Sequence, residues 1–328
     1  MIRARPVTTS RTVGGMWAYR LVAPLQFERV EFDRPLPDDL RDGEVVVRLH
    51  TAGICGSDLP EARGLMPTRT PASGLGPLHE FVGDVVHPSG DRLRVGDRVV
   101  GWVLDQHGLS EQVVAAESEL CVVPDELSDT DAVLAQILAC VLCAVDRLGD
   151  VAGQRAVVLG QGPAGLLFSH VLADRGATVT GVDPVDRSAL ASAVGASFVH
   201  SSSRGWAHAT AADARPEIVV EAVGHQAATF DHALHGVAPG GQVYVFGVND
   251  DPYYAINVQH LMRKNLTVRS GITVDHARYL AAALDHLQRH PWLAPTMITH
   301  VFGFDRLNEA YATAADLQPA RGKVVITV

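Results

Sequence analysis

The stretch RAVVLGQGPAG at residues 155–165 decides how the second half of the chain folds. A short run of apolar, β-branched residues leads into Gly160, and Pro163 begins an apolar segment with helical spacing. Glycines at these spacings allow a tight turn, a close approach of backbone to a pyrophosphate, and close packing of helix on strand. Strand, loop and helix in succession predict a dinucleotide-binding loop with the phosphates at the helix N-terminus. The residues expected to contact the cofactor here are Gly160, Gly162, Pro163, Ala164 and Gly165.

An acidic residue follows the loop at the end of the next apolar run. Asp183 can accept hydrogen bonds from both hydroxyls of an adenosine ribose, and its charge would repel a 2′-phosphate. The sequence therefore favours NAD over NADP, although Arg187 lies close by and weakens that preference. The alternative is a purely structural cluster of turn glycines. Strand, loop, helix and acid together favour the nucleotide.

Strands and helices alternate through the rest of this half. Strand-like runs at 178–182, 218–222, 242–246 and 266–269 alternate with helix-like runs at 186–194 and 227–236. This βαβ rhythm predicts a doubly wound parallel sheet. Residues 10–125 instead show short apolar runs between glycine and proline turns, which is typical of an antiparallel, barrel-like domain. We therefore predict an α/β protein in which a β-barrel-type domain precedes a parallel-sheet domain.

Composition narrows the class of protein. A chain of 328 residues is long enough for two domains. No apolar run is long enough to span a bilayer, the N-terminus lacks the apolar core of a signal peptide, and four cysteines show no paired CxxC motifs. We expect a cytoplasmic protein without disulfides or a membrane partner. The net charge of −10, without a basic stripe, argues against a nucleic-acid partner.

Two motifs in the first half carry metal-binding chemistry: GICGSD at 53–58 and LHEFVG at 78–83. A thiolate and an imidazole are good zinc ligands, and a catalytic zinc needs three protein ligands and one open position. Asp58 could orient His79, and Ser57 could pass a proton to solvent. From these residues alone, an alternative remains: Cys55 is a buried structural cysteine, and the hydrogen bonds of His79 are satisfied without a metal.

Together with the downstream glycine loop, these motifs resemble the zinc-dependent alcohol dehydrogenases of the medium-chain dehydrogenase/reductase superfamily. The likeness covers nearly the whole chain and includes GDRV at 96–99, VEAVG at 220–224, PGG at 239–241 and GKVV at 322–325. It implies a GroES-like catalytic domain, 1–143 with 273–328, and a Rossmann NAD-binding domain, 144–272. It also implies a homodimer formed through the Rossmann domains.

The resemblance implies a role for each motif residue. Cys55 and His79 would bind one catalytic zinc with Glu80 beside it, Asp58 would support the histidine, and Ser57 would relay the proton. The residues that would line the nicotinamide are Val223, Gly224, Phe246, Gly247 and Val248. The implied activity is hydride transfer between NAD(H) and a small alcohol or carbonyl substrate, in enzyme class EC 1.1.1.

The sequence departs from the family pattern at the metal site. The family's third zinc ligand aligns with Gln136, and a neutral amide is a poor zinc ligand. Cys140, one helical turn further on, could supply a thiolate, or Glu80 could turn inward. Cys143 is expected to be an apolar core residue.

Three further departures lie nearby. The lobe that holds a structural zinc through four cysteines is absent, so at most one zinc is expected. Its place is taken by the short connection 103–108, where we expect His107 to be a solvated loop residue. Pro60 replaces the usual relay histidine, and Leu78 replaces the usual glycine before His79.

Two other functions fit these departures. A metal-free reductase of the same superfamily, acting on an activated C=C bond or a quinone, would explain Gln136 and Pro60. A non-catalytic NAD-binding protein on a dehydrogenase scaffold would also keep the glycine loop. The departures fall on the metal site and leave the cofactor loop intact.

Overall fold

The structure, a computed structural model, describes residues 14–65, 74–103, 105–248 and 253–328. It divides into two compact units: Met1–Gln136 with Asp275–Asp316 and Lys323–Val328, and Ile137–Val274 with Leu317–Gly322. The chain passes from the first unit to the second between Gln136 and Ile137. The domain limits 1–143 with 273–328, and 144–272, stay a prediction.

The strands and helices follow one another in a fixed order along the chain. The strands are β1 (Gly15–Ala23), β2 (Gln26–Asp33), β3 (Glu44–Gly53), β4 (Glu80–Pro88), β5 (Arg98–Trp102), β6 (Gln112–Ala116), β7 (Leu120–Val122), β8 (Arg155–Leu159), β9 (Thr178–Asp183), β10 (Ser197–His200), β11 (Ile218–Glu221), β12 (Gln242–Val245), β13 (Thr267–Ser270), β14 (Ile298–Gly303) and β15 (Lys323–Thr327). The α-helices are α1 (Leu59–Ala62), α2 (Asp129–Ala132), α3 (Leu134–Leu148), α4 (Pro163–Asp174), α5 (Ser188–Ala193), α6 (Ser203–Ala209), α7 (Ala228–Gly236), α8 (Val258–Lys264), α9 (His276–Arg289), α10 (Leu293–Met297) and α11 (Leu307–Ala315).

The first unit is built on a seven-stranded sheet in the order β14-β15-β3-β4-β5-β7, with β6 also paired to β3. Strand β3 is antiparallel to β4, β6 and β15, and its side chains at Val45, Val47 and Leu49 lie in the core. The β1–β2 hairpin forms a separate two-stranded sheet. This confirms the predicted β-rich first domain. The sheet brings the end of β3, the start of β4 and β15 side by side.

The second unit has a six-stranded parallel sheet in the order β10-β9-β8-β11-β12-β13. This confirms the predicted doubly wound sheet. Strand order reverses between β8 and β11, and in open sheets of this kind ligands bind outside the carboxyl ends of the strands at that point. The glycine loop follows β8 and therefore lies at the expected position.

The helical segment after Ser128 consists of two helices, α2 and α3. The chain tightens between them, where the Gln136 amide donates to the Val133 carbonyl three residues back, as in a 3₁₀ turn. Between β3 and β4, residues 56–62 form a 3₁₀ turn followed by α1, and residues 66–73 lie outside the described part.

The described part of the chain contains no helix with both the length and the hydropathy that a bilayer crossing requires.

Candidate active site

Asp58 connects the two metal-binding motifs of the first unit. Its Oδ2 accepts a hydrogen bond from the Cys55 amide at 2.9 Å, and its Oδ1 lies 2.8 Å from Nδ1 of His79. Because an ionised carboxylate only accepts, Nδ1 of His79 carries the proton and Nε2 is left to act as a ligand. Asp58 is 4% exposed, so this arrangement is shielded from water.

Cys55, His79 and Glu80 form a group of potential metal ligands. Their ligand atoms all lie within 4.8 Å of one another. Burial lowers the pKa of His79, but the charges and hydrogen bonds of Asp58 and Cys55 raise it well above the ordinary 6.5. The site thus concentrates negative charge around a buried imidazole. Sulfur, nitrogen and carboxylate donors in this arrangement fit a zinc ion.

Lys323 was not foreseen as a site residue, yet it contacts Glu80. Its Nζ lies 2.5 Å from Glu80 Oε2, and the two side chains are 1% and 0% exposed. Burial lowers the pKa of Lys323, but the charges of Glu80, Cys55 and Asp58 and the hydrogen bond to Glu80 together outweigh it, and the pKa is raised above 10.5. Glu80 Oε1 is buried and has no hydrogen-bond partner among the described residues. A Cβ at Gly53 would collide with Glu80 Oε2, so glycine leaves room for the ion pair.

The candidates for the third ligand differ in their surroundings. Gln136 is 2% exposed, and its Oε1 has no hydrogen-bond partner in the described part of the chain. Cys140 is half-buried and belongs to the second unit. Cys143 is 2% exposed, which confirms that it is a core residue. Ser57, the proposed relay residue, is exposed.

The prediction that His107 is a solvated loop residue is wrong. His107 is buried; its Nδ1 lies 2.6 Å from the Asp105 carbonyl and its Nε2 lies 3.0 Å from Oε1 of Glu61. The partner stands 46 positions earlier in the chain, so the local sequence gave no sign of it. Nearby, buried Tyr311 donates to the Pro77 carbonyl. Burial raises the pKa of Tyr311 well above 10, and the charges of Asp58 and Glu61 raise it further.

The glycine loop of the second unit has the geometry that its sequence predicts. Gly160 has a φ of +85°, a conformation that L side chains rarely adopt. A Cβ at Gly165 would collide with the Gly160 carbonyl, whereas a Cβ at Gly162 would meet no described atom within 4 Å. Pro163 is the first residue of α4. Gly162 therefore leaves space in front of the helix N-terminus, where a phosphate would lie.

Asp183 stabilises this loop directly. Its Oδ2 accepts from the Gln161 amide at 2.7 Å and its Oδ1 accepts from the Val185 amide at 2.8 Å. Arg187 is buried and donates to the Arg321 carbonyl. Burial lowers the pKa of Arg187, and the charge of Asp183 opposes that shift. The guanidinium is thus engaged with main chain of the same unit.

Glu221 is a buried carboxylate whose role the sequence did not reveal. Its Oε1 accepts from the amides of Val223 and Gly224 at 3.0 and 3.3 Å, and from the Thr229 hydroxyl at 2.8 Å. Burial raises its pKa, and these hydrogen bonds oppose the rise. The carboxylate therefore fixes the turn after β11.

The turn after β12 lies against the turn after β11. The amides of Phe246 and Gly247 donate to the Glu221 carbonyl at 2.9 and 3.0 Å. A Cβ at Gly247 would collide with the Gly224 amide, so this close approach requires glycine. Gly224 itself has a φ of +70°. The predicted nicotinamide residues 223–224 and 246–247 thus form one surface at the carboxyl ends of two neighbouring strands.

Comparisons with known proteins agree with both units. Residues 41–180 match the family model for the alcohol dehydrogenase GroES-like domain, and residues 141–322 match the model for the glucose dehydrogenase C-terminus. The chain is 26% identical over 313 residues to glucose 1-dehydrogenase of Metallosphaera sedula, covering 79% of this chain and 85% of the relative. It is 33% identical over 189 residues to (R,R)-butanediol dehydrogenase of Bacillus subtilis, covering 47% and 53%.

A solved structure shows the same fold over almost the whole chain. Alcohol dehydrogenase TADH from Thermus sp. ATN1 superposes with a TM-score of 0.84 at 25% identity, covering 95% of this chain and 100% of that one. Among other structural neighbours, RspB of E. coli (TM-score 0.79, 23% identity) is complexed with NADH. A dehydrogenase of Sinorhizobium meliloti (TM-score 0.79, 22% identity) is bound to NADP.

Proposed function

The chain belongs to the zinc-dependent alcohol dehydrogenase family of the medium-chain dehydrogenases and reductases, and from this membership we infer that Cys55 and His79 bind one catalytic zinc ion. The chain is an NAD(P)-dependent oxidoreductase that transfers hydride between the nicotinamide and an alcohol or carbonyl substrate. The observation that carries the metal site is the group of Cys55, His79 and Glu80, whose ligand atoms lie within 4.8 Å of one another.

Each residue of the proposed metal site would have its own role. Cys55 and Nε2 of His79 would hold the metal, and Glu80 would supply the third ligand through Oε1, which has no other partner in the described residues. Zinc, when bound, acts as a Lewis acid on the substrate oxygen. Asp58 keeps His79 in the ligating tautomer. Lys323 holds the other oxygen of Glu80, and the exposed Ser57 hydroxyl would pass the substrate proton to solvent.

The cofactor is proposed to be NAD in preference to NADP. The Asp183 carboxylate lies at the carboxyl end of β9, where it would bind ribose hydroxyls and repel a 2′-phosphate. Arg187, which would oppose this preference, donates to the Arg321 carbonyl. Its engagement with main chain supports a site without a cation for the extra phosphate.

The substrate is proposed to be a small polyol or vicinal diol. The relatives named for their substrates include glucose, butanediol, sorbitol and arabinitol dehydrogenases. A panel of such alcohols is therefore the first set to test, with simple primary alcohols as comparison.

A homodimer through the second unit is proposed from its sheet edge. Strand β13 pairs with β12 alone among the described strands, and all four of its residues are exposed. An open edge with exposed Val268 is a template for pairing with a second copy about a twofold axis. Light scattering should give the mass of a dimer, and Val268→Lys should shift it to a monomer. A monomeric wild-type chain contradicts this proposal.

Zinc content and NAD-linked oxidation test the reaction together. The protein purified without chelator should contain one zinc per chain and oxidise members of the panel. Cys55→Ser should lose zinc and turnover, whereas Cys121→Ser, a substitution of a half-buried cysteine on β7, should keep both. Turnover of enones or quinones without zinc would instead indicate the metal-free reductase. Tight NAD binding without turnover on any substrate would indicate the non-catalytic protein.

A further inference from the structure

A buried pair, Glu61 and His107, joins α1 to the connection 103–108. Nε2 of His107 lies 3.0 and 3.3 Å from the two carboxylate oxygens of Glu61, and the side chains are 5% and 11% exposed for His107 and Glu61. The proposed reaction uses neither residue. Taking two titratable groups largely out of solvent is costly unless they satisfy each other, so the contact requires an explanation.

The contacts of the His107 ring show that the pair shares one proton. Nδ1 faces the Asp105 carbonyl at 2.6 Å, and a carbonyl only accepts, so Nδ1 carries a hydrogen. Nε2 then bonds to Glu61 only if one more proton lies between them. Imidazolium with carboxylate, or neutral imidazole with carboxylic acid, both meet this condition. Without that proton, two acceptors would face each other in a buried site.

The pair also links the two metal-binding motifs through a continuous set of hydrogen bonds. Asp58 binds the Cys55 amide and the His79 ring, and Glu61 follows Asp58 on the short helix α1. On the other side, three main-chain hydrogen bonds join residues 78–79, the arm carrying His79, to the connection 103–108. They run from Val103 N to His79 O at 3.0 Å, from Leu78 N to Gln106 O at 2.9 Å, and from Gly108 N to Leu78 O at 2.9 Å. His107 lies in that connection, so its bond to Glu61 joins the connection to α1 and hence to the Cys55–Asp58 turn.

We propose that Glu61 and His107 are positioning residues that hold the Cys55–Asp58 turn against the arm carrying His79. They act through the turn and the arm and touch neither metal ligand directly. The pair thereby preorganises the donor atoms before a metal binds, which is what a precise site requires of its supporting residues. This inference rests on the proposed function, since it takes Cys55 and His79 to be the metal ligands.

Two substitutions at Glu61 distinguish the contribution of its hydrogen bond to His107 from the contribution of its carboxylate charge. Glu61→Leu removes the bond and leaves Nε2 of His107 buried without a partner. Glu61→Gln keeps a bond, because its amide N–H can donate to Nε2 of a neutral His107. In the full chain, Glu61→Leu should transfer zinc to a chelator about tenfold faster than wild type, and Glu61→Gln should stay within about twofold.

A second readout needs no metal in the site. Cys55 should be alkylated about tenfold faster in Glu61→Leu than in wild type when both are kept in chelator. Peptide mass spectrometry gives the rate for each cysteine, and Cys121 on β7 serves as the internal reference, with an unchanged rate. Should Glu61→Leu not fold, His107→Leu breaks the same bond from the other side and carries the same expectation.

Each outcome decides the proposal. Unchanged zinc transfer and unchanged Cys55 alkylation in Glu61→Leu would overturn it, and so would a Glu61→Gln chain that behaves like Glu61→Leu. A wild-type chain that binds no zinc would refute the proposed metal site instead. In that case the alkylation rates still show whether the pair holds the Cys55–Asp58 turn.

Discussion

In the metal-free chain, kept in chelator, replacing Lys323 by methionine is expected to destabilise the first unit because it leaves the Glu80 carboxylate buried and unpaired. Methionine is similar in length to lysine, so the change removes the charge and most of the packing remains. The two side chains are 1% and 0% exposed, with Nζ and Oε2 2.5 Å apart. Water therefore has little access to the charge that would be left behind.

The size of the effect follows from this burial. Removing one partner of a buried ion pair costs about 3–5 kcal/mol, since the remaining charge has lost its compensation. The folded-state pKa of Lys323 is raised above 10.5. Its contribution to the free energy of unfolding is therefore fully present below pH 10.5 and is lost as the pH rises through the higher folded-state value. At pH 7 the whole effect should be measurable.

Urea unfolding followed by circular dichroism gives the free energy, and amide hydrogen exchange shows where the loss occurs. Exchange should accelerate in β3, β4 and β15, the strands that carry or flank the pair. The double variant Lys323→Met/Glu80→Gln, which leaves no uncompensated charge, should recover at least half of the loss. Arg289→Met removes one partner of an exposed pair with Asp285 and serves as the control, with a change within error.

A loss below about 1 kcal/mol in Lys323→Met would refute the reasoning, because a buried carboxylate cannot lose its partner at so small a cost. So would a double variant that is less stable than the single one. Either result would mean that Glu80 is solvated or protonated in the folded chain.

Three other predictions concern the second unit. Gly165→Ala should lower Tm, because its Cβ collides with the Gly160 carbonyl, whereas Gly162→Ala should leave Tm unchanged and weaken NAD binding about tenfold or more by calorimetry. Asp183→Ser should raise the affinity for NADP relative to that for NAD, since it removes the charge that repels a 2′-phosphate. Burial and the neighbouring histidine and basic side chains lower the pKa of His235 from 6.5. Its contribution to stability is present above pH 6.5 and is lost as the pH falls through the lowered folded-state value, so Tm should fall less below pH 6.5 in His235→Gln than in wild type.

The outcomes that contradict these three predictions are equally specific. A Gly162→Ala chain with wild-type NAD affinity would mean that the phosphates lie elsewhere. An unchanged cofactor preference in Asp183→Ser would remove the argument for NAD. Parallel Tm curves for His235→Gln and wild type would show that the ring is already solvated.

The second unit could be predicted from the sequence because its signals are local. Strand β8, the glycine loop and helix α4 occupy one continuous stretch, and Gly160 and Gly165 meet backbone requirements that the structure shows. The parallel order of the sheet follows from short strand–helix–strand connections. The missed elements, β10, α6 and α8, are short and mostly exposed, so their apolar pattern is weak.

The metal-binding motifs could be named from the sequence, but their supporting partners could not. Cys55, Asp58 and His79 belong to recognisable motifs, and the structure brings them together. Lys323 is distant from Glu80 along the chain, and the two meet only because β15 pairs with β3 beside β4. Such contacts exist only in the folded sheet, so the spacing of residues along the sequence does not predict them.

The position of β15 has a consequence for the order in which the protein matures on the ribosome. This strand, residues 323–327, is inserted between β14 and β3 inside the seven-stranded sheet. Because translation proceeds from the N-terminus, most of the second unit has been synthesised before this strand emerges. Until then residues 51–53 of β3 lack the neighbour that they have in the complete sheet, although β6 already pairs with residues 44–48. During that interval this edge of β3 exposes unpaired main-chain groups, with which another strand could pair in place of β15.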